Sequence, residues 1–273
     1  MEKIKRSERV SAMIKILSDT PNRIYTLGYF SELFGAAKST ISEDIDQAQG
    51  ILDRFKLGRL ETVTGAAGGV RYLPLLQPDE MMHFRNELCM RLSDPDRILP
   101  GGFLYMVDIL CSPVLAGKMG EIMASWYAGQ HPDFVITVET KGIPVAFMVA
   151  RTLNLPLMIA RRDARITDGS VVAINYVSGS NRRIQTMSMP KRNIKQGQRA
   201  LLIDDFMKGG GTAKGMIDMM HEFSVQVVGI GVVVSTAQPE HKMVRDYRSI
   251  FTLNNVDEIA RRVDIRLTPE IRR

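Results

Sequence analysis

The 273 residues suffice for one large domain or two, and 45% apolar with 24% charged residues is the mixture of an ordinary folded protein, not a disordered or fibrous one. Thirty-six Lys and Arg against 30 Asp and Glu leave a net charge of +6, which permits anionic partners without naming one. No apolar run approaches the ~18 residues of a membrane span, and the opening MEKIKRSERV has no apolar leader core, so a cytoplasmic protein without membrane contact is expected.

Three helical patterns come first. Val10, Met13, Ile14 and Leu17 fall on one face of a helix that SDTPN stops. Leu27, Phe30, Leu33 and Phe34 predict a second, ended by Gly35. Ile41, Ile45, Ala48, Leu52 and Phe55 predict a third, with Ser39 or Thr40 as its cap and acids in its first turn. RLETVTGAAGGVRYLP then reads as two short strands around a glycine-rich turn. Three helices and a hairpin make the layout of a winged helix-turn-helix. Residues 1–74 hold eleven Lys and Arg against nine Asp and Glu, so bulk charge does not mark them as a DNA-binding unit. Placement does. Lys38, Ser39, Thr40 and Ser42 open the third helix, where such folds meet base edges, Arg59 and Arg71 flank the wing turn, and Lys3, Lys5, Arg6 and Arg9 form a basic arm. Glu43, Asp44 and Asp46 make the same helix acidic further on, which would suit a protein-binding winged helix instead.

LPLLQPDE, with two prolines, sets the boundary between domains at 1–74 and 75–273. Beyond it the chain alternates. IMASWYAG is an apolar helix that makes Trp126 a core or dimer residue, and Cys89 and Cys111 are expected to be buried free thiols. DFVITVE, LPLMIAR, VVAINYV, RALLIDD and VQVVGIGVVVS predict five strands, with helices over IPVAFMVARTLN and from Thr212 to about Phe223. Strands so uniformly apolar predict an α/β fold, a mostly parallel sheet flanked by helices. Residues 177–199 carry Arg182, Arg183, Lys191, Arg192, Lys195 and Arg199 and no acid. A long cationic connection between buried strands reads as a flap for a polyanion, or else as a solvated excursion. His83, His131, His221 and His241 are scattered, and no metal site is expected.

The chemistry concentrates in LLIDDFMKGGGTAKG, residues 201–215. A strand ends in Asp204 and Asp205, and Gly209, Gly210 and Gly211 lead to Thr212 at the next helix. Ligands of open parallel sheets bind beyond such strand ends, and backbone N–H groups at a helix start favour phosphate. Carboxylates would repel that phosphate, so they suit the hydroxyl donors of a ribose. Neither the Walker A spacing nor G-x-G-x-x-G occurs.

ALLIDDFMKGGGT resembles the phosphoribosyl-pyrophosphate signature of type I phosphoribosyltransferases, and VETKG, residues 138–142, resembles their pyrophosphate loop, which often carries a cis peptide. That resemblance implies effector contacts from Asp204, Asp205, Phe206, Met207, Lys208, Gly209, Gly210, Gly211 and Thr212, and from Thr140, Lys141 and Gly142, with Mg2+ able to accompany the ligand. Lys208 departs from the enzymes' small residue and would project towards the phosphates or the base. Joined to a winged helix, this loop, GIPVAFMVAR and VSGSNRRIQTMSMPKR resemble the purine operon regulators of Gram-positive bacteria across the whole chain. The resemblance implies a homodimeric DNA-binding regulator, more a repressor than an activator, that binds phosphoribosyl pyrophosphate without catalytic residues or required cofactor. Phe206, where such folds stack a base, would let a purine nucleotide such as ppGpp compete. An active purine phosphoribosyltransferase with an accessory head is the alternative.

Overall fold

The computed structural model describes residues 4–65, 68–74, 76–162, 169–177, 184–192 and 194–269. The chain divides into two compact units, residues 1–78 with 151–154, and residues 79–150 with 155–273.

The N-terminal unit holds α1 (Arg6–Asp19), α2 (Leu27–Phe34), α3 (Lys38–Phe55), and the antiparallel strands β1 (Arg59–Val63) and β2 (Gly69–Leu73). Thr26 caps α2 by accepting from the Tyr29 N–H at 3.1 Å, and Gly35 ends it at φ 60°, a left-handed conformation that costs glycine least. Met13, Leu17, Phe30, Ile41 and Val70 are wholly buried between the helices and the hairpin. The cap expected at Ser39 or Thr40 is not found. Ala37 takes that position without a side-chain bond, because α3 already begins at Lys38, and the expected first-turn acids lie one turn further in.

Two other readings of this unit change. Asp44 is fully buried, and Arg9, only 7% exposed, grips it through Nε to Oδ2 at 2.6 Å and Nη2 to Oδ1 at 3.1 Å. Arg6 Nε lies 3.2 Å from the same carboxylate. Arg9 therefore belongs to the interior side of α1, and the exposed Arg6 reaches the same carboxylate, so neither is a free basic arm, and Asp44 no longer counts towards an acidic outer face. Lys3 lies outside the described residues.

The C-terminal unit opens with α4 (Pro78–Leu92), the two-residue strands β3 (Ile98–Leu99) and β4 (Phe103–Leu104), α5 (Val107–Leu110) and α6 (Pro113–Tyr127). There follow β5 (Phe134–Val138), α7 (Ile143–Leu153), β6 (Leu157–Ala160), β7 (Val171–Val177), β8 (Ile184–Pro190), β9 (Arg199–Met207), α8 (Gly211–Glu222), β10 (Gln226–Thr236), β11 (Tyr247–Asp257) and β12 (Arg262–Leu267). Six strands form one sheet in the order β12-β11-β10-β9-β5-β6, parallel throughout except for the β11–β12 pair. Every residue of β5 is buried, as both-face cover requires. On one face Gly229 lets α6 close in, since a Cβ there would stand 2.4 Å from the Tyr127 ring. Among the described residues no helix is long and apolar enough to cross a membrane.

VVAINYV, expected as a sheet strand, is not one. As β7 it pairs only with β8, in a separate antiparallel hairpin. Its burial alternates, with Tyr176 inside and Asn175 exposed, so apolar composition alone misled. The hairpin lies on α8, where a Cβ on Gly215 would meet Tyr176 at 2.9 Å. Seven residues of the expected flap, Ile184–Pro190, are thus β8, and Arg182 and Arg183 fall outside the described residues. Trp126 is half-buried rather than core, Cys89 is half-buried and Cys111 exposed, which corrects the expected buried pair.

Candidate effector and DNA sites

The strand β9 carries the acids to the carboxyl edge of the sheet. Asp204 is buried and Asp205 half-buried, and Asp204 Oδ1 accepts the Asp205 N–H at 2.9 Å. Burial, and then the neighbouring Asp205 charge, push the Asp204 carboxyl well above the ordinary carboxylate range. The exposed Lys208 and the buried Gly209 and Gly210 follow, and α8 starts at Gly211, one residue before the expected Thr212. Gly210 is its N-cap at φ 79° and brings no side chain, so the first N–H groups of α8 stay open to an anion.

A second loop closes on the first. The Glu139–Thr140 peptide is cis, as the resemblance implied. Gly142 is pressed so closely that a Cβ would stand 2.7 Å from both Asp204 Oδ1 and Thr137 Oγ1. Only glycine fits there. The fully buried Thr137 Oγ1 has no hydrogen-bond partner among the described residues. Thr140 and Lys141 are exposed beside this contact. Asp204, Phe206, Met207, Lys208, Gly209, Gly210, Gly211 and Thr212 line one cavity of about 100 Å3, which brings Asp204 and the glycine turn to a single space.

Two cations here escaped the sequence reading. Arg162, just past β6, acts on Asp204 electrostatically, opposing the rise of its pKa, and its N–H donates to Glu139 Oε1 at 2.7 Å. Lys242 holds the Lys208 carbonyl through Nζ at 2.8 Å, and the Met243 N–H holds that of Gly209 at 2.9 Å. Neither lies in a recognisable motif. Their only signal was position, one at a strand end and one in a β10–β11 connection.

In the N-terminal unit Lys38, Ser39 and Ser42 are exposed and Thr40 half-exposed at the start of α3, around the buried Ile41. Arg59 is exposed, but it pairs with Leu73 at the end of the hairpin away from the turn. Arg71 does not stand open beside the wing. Its Nε donates to Glu61 Oε2 on the facing strand at 2.6 Å. Replacing Lys38 with Ala should weaken DNA binding about evenly across sequences and reduce the slope of log affinity against log salt by about one, whereas Arg71→Ala should change that slope less. Electrophoretic retardation over a salt series decides this, and equal slopes for the two variants would return Arg71 to the contact set.

Residues 5–74 match the family described as bacterial purine repressor, N-terminal, and residues 113–267 match the phosphoribosyl transferase domain. The chain is 44% identical over 263 residues to the purine biosynthesis transcriptional repressor PurR of Bacillus subtilis, covering 96% of this chain and 92% of that protein. It is 37% identical over 264 residues to the purine biosynthesis transcriptional activator PurR of Lactococcus lactis, covering 97% of each. The adenine phosphoribosyltransferase structure from Saccharomyces cerevisiae superposes with a TM-score of 0.54 at 15% identity, covering 62% of this chain and 98% of that one, a likeness of fold alone.

Proposed function

The chain belongs to the bacterial purine repressor family, and from that premise we propose that its C-terminal unit senses phosphoribosyl pyrophosphate at the Asp204–Thr212 loop. It is a transcriptional regulator of purine biosynthesis with DNA as a partner. The observation that carries the effector reading is Gly142 seated against Asp204, because it joins a pyrophosphate-type loop to a ribose-type acid pair and a phosphate-type glycine turn. Asp204 and Asp205 accept the sugar hydroxyls, and the open N–H groups of α8 take the 5-phosphate.

Among the described residues no group of three or more His, Cys, Asp or Glu side chains could hold a metal. Mg2+ would travel with the ligand, bound by its pyrophosphate oxygens. Phe206 lines the same cavity, so a purine nucleotide such as ppGpp competes there. Two winged helices reading two half-sites make a homodimer the working form, and its action is repression.

Binding proceeds without turnover on this reading, because Lys208 alters the loop that would stabilise departing pyrophosphate. One paired measurement tests both halves. Calorimetry with phosphoribosyl pyrophosphate should show Asp205→Ala weakened by about 1.5–3 kcal/mol, the loss of a charge-assisted hydrogen bond, with operator binding intact. Unchanged affinity would move the ribose elsewhere. Steady pyrophosphate release with adenine, guanine, hypoxanthine or xanthine would favour the active transferase instead.

A further inference from the structure

A cavity of about 370 Å3 lies beyond the end of β10 and the start of β11, against α4 and α6, and is larger than the space at the glycine loop. Its size is that of a small-molecule site. Its wall is rich in donors. Arg248 and Lys242 line it, and neither has a carboxylate within ion-pair distance among the described residues. Lys242 Nζ gives its protons to the carbonyls of Lys208 at 2.8 Å, Thr236 at 2.8 Å and Pro239 at 3.1 Å, so its charge is held by neutral groups alone. Burial lowers its pKa, as expected of an ammonium without a counter-charge.

The hydroxyls point the same way. Ser235 Oγ meets Ser249 Oγ at 2.9 Å, Ser249 Oγ meets Thr268 Oγ1 at 2.9 Å, and Thr268 Oγ1 meets Thr252 Oγ1 at 2.8 Å. Four hydroxyl protons serve three contacts, which leaves one for an acceptor outside the chain of hydroxyls. Among the described residues the exposed Glu240 is the one acid in the wall. Trp126 supplies a flat apolar face, with the Arg248 guanidinium carbon 6.0 Å from its ring centroid.

We propose that this cavity is a second small-molecule site, separate from the Asp204–Thr212 loop, that takes a flat-ring organic anion with its charged end at Arg248 and its ring along Trp126. The wall is bonded to the effector loop, since Lys242 Nζ and the Met243 N–H hold the carbonyls of Lys208 and Gly209. Occupancy therefore bears on that loop. The second site goes beyond the effector reading, and only its link to the loop rests on it.

Trp126 is the sole tryptophan, so its fluorescence reports this cavity directly. The full chain is titrated with phenyl phosphate and, separately, benzoate, which distinguish a phosphate from a carboxylate as the charged end, and with neutral benzyl alcohol and inorganic phosphate as controls. A saturable change with at least one ring anion is expected, about tenfold tighter than with either control. Arg248→Gln should weaken it about tenfold and Arg248→Lys less, with the thermal melt of each variant confirming the fold. Asp204→Ala should leave it in place while weakening phosphoribosyl pyrophosphate binding, which keeps failure here distinct from failure of the effector reading. A response absent for both anions, equalled by benzyl alcohol, or indifferent to Arg248→Gln overturns the site. Saturating phosphoribosyl pyrophosphate should shift the anion's affinity about threefold or more, and Lys242→Met should abolish that shift. An affinity that phosphoribosyl pyrophosphate leaves unchanged overturns the link.

Discussion

Asp44→Ala is expected to remove a large part of the stability of the N-terminal unit. The substitution strands the Arg9 guanidinium inside the unit with its one carboxylate partner among the described residues gone, and removing one partner of a buried ion pair costs about 3–5 kcal/mol. A domain of this size has about 5–15 kcal/mol to lose. Thermal melts followed by circular dichroism should show an early transition for residues 1–78 ahead of the rest, and operator binding should vanish with it. The double variant Arg9→Met with Asp44→Leu separates the causes. An apolar pair of similar volume should restore much of the stability, because no charge is then left buried. A single variant that melts with the native protein would mean that water reaches Arg9.

Asp204→Asn is expected to do two opposite things. Its folded-state pKa stands above the unfolded value of about 3.9. The group's contribution to stability is therefore complete below that unfolded value and is lost as pH rises through the raised folded one. Near neutrality folding must either protonate Asp204 or bury it ionised beside Asp205, and Asn removes that cost while still accepting the Asp205 N–H. The variant should thus melt higher than the native chain near neutrality and show no advantage at about pH 3. Its affinity for phosphoribosyl pyrophosphate should fall by about 1.5–3 kcal/mol, since the charge on the acceptor is gone. Native binding should also release protons at pH values below the raised pKa, because sugar hydroxyls select the ionised carboxylate. Calorimetry in buffers of different ionisation enthalpy reads this, and a variant that melts lower at neutral pH would show that the ionised form is structurally required.

Local order was legible in the chain by itself. The spacing of Val10, Met13 and Leu17, of Phe30 and Phe34, and of Ile41, Ile45 and Ala48 places three helices where they are found, because a 3.6-residue period and a buried face are one constraint. The strand–Asp204–Asp205–glycine–helix run was readable for a similar reason, since a turn that presents backbone N–H groups demands glycine in sequence. What only the tertiary structure decided are the pairings between distant residues. Strand β7 is as apolar as its neighbours, and nothing in its seven residues says that it joins β8 instead of the sheet. Asp44 looked like surface acid until Arg9, 35 residues away, was found on it. Arg71 looked like an open wing cation until the hairpin register set it opposite Glu61. Gly142 carries no sign of Asp204, and Lys242 carries none of the glycine loop it holds. Period and turn chemistry are properties of neighbouring residues, whereas a charge's role depends on which partner the fold brings within about 3 Å of it.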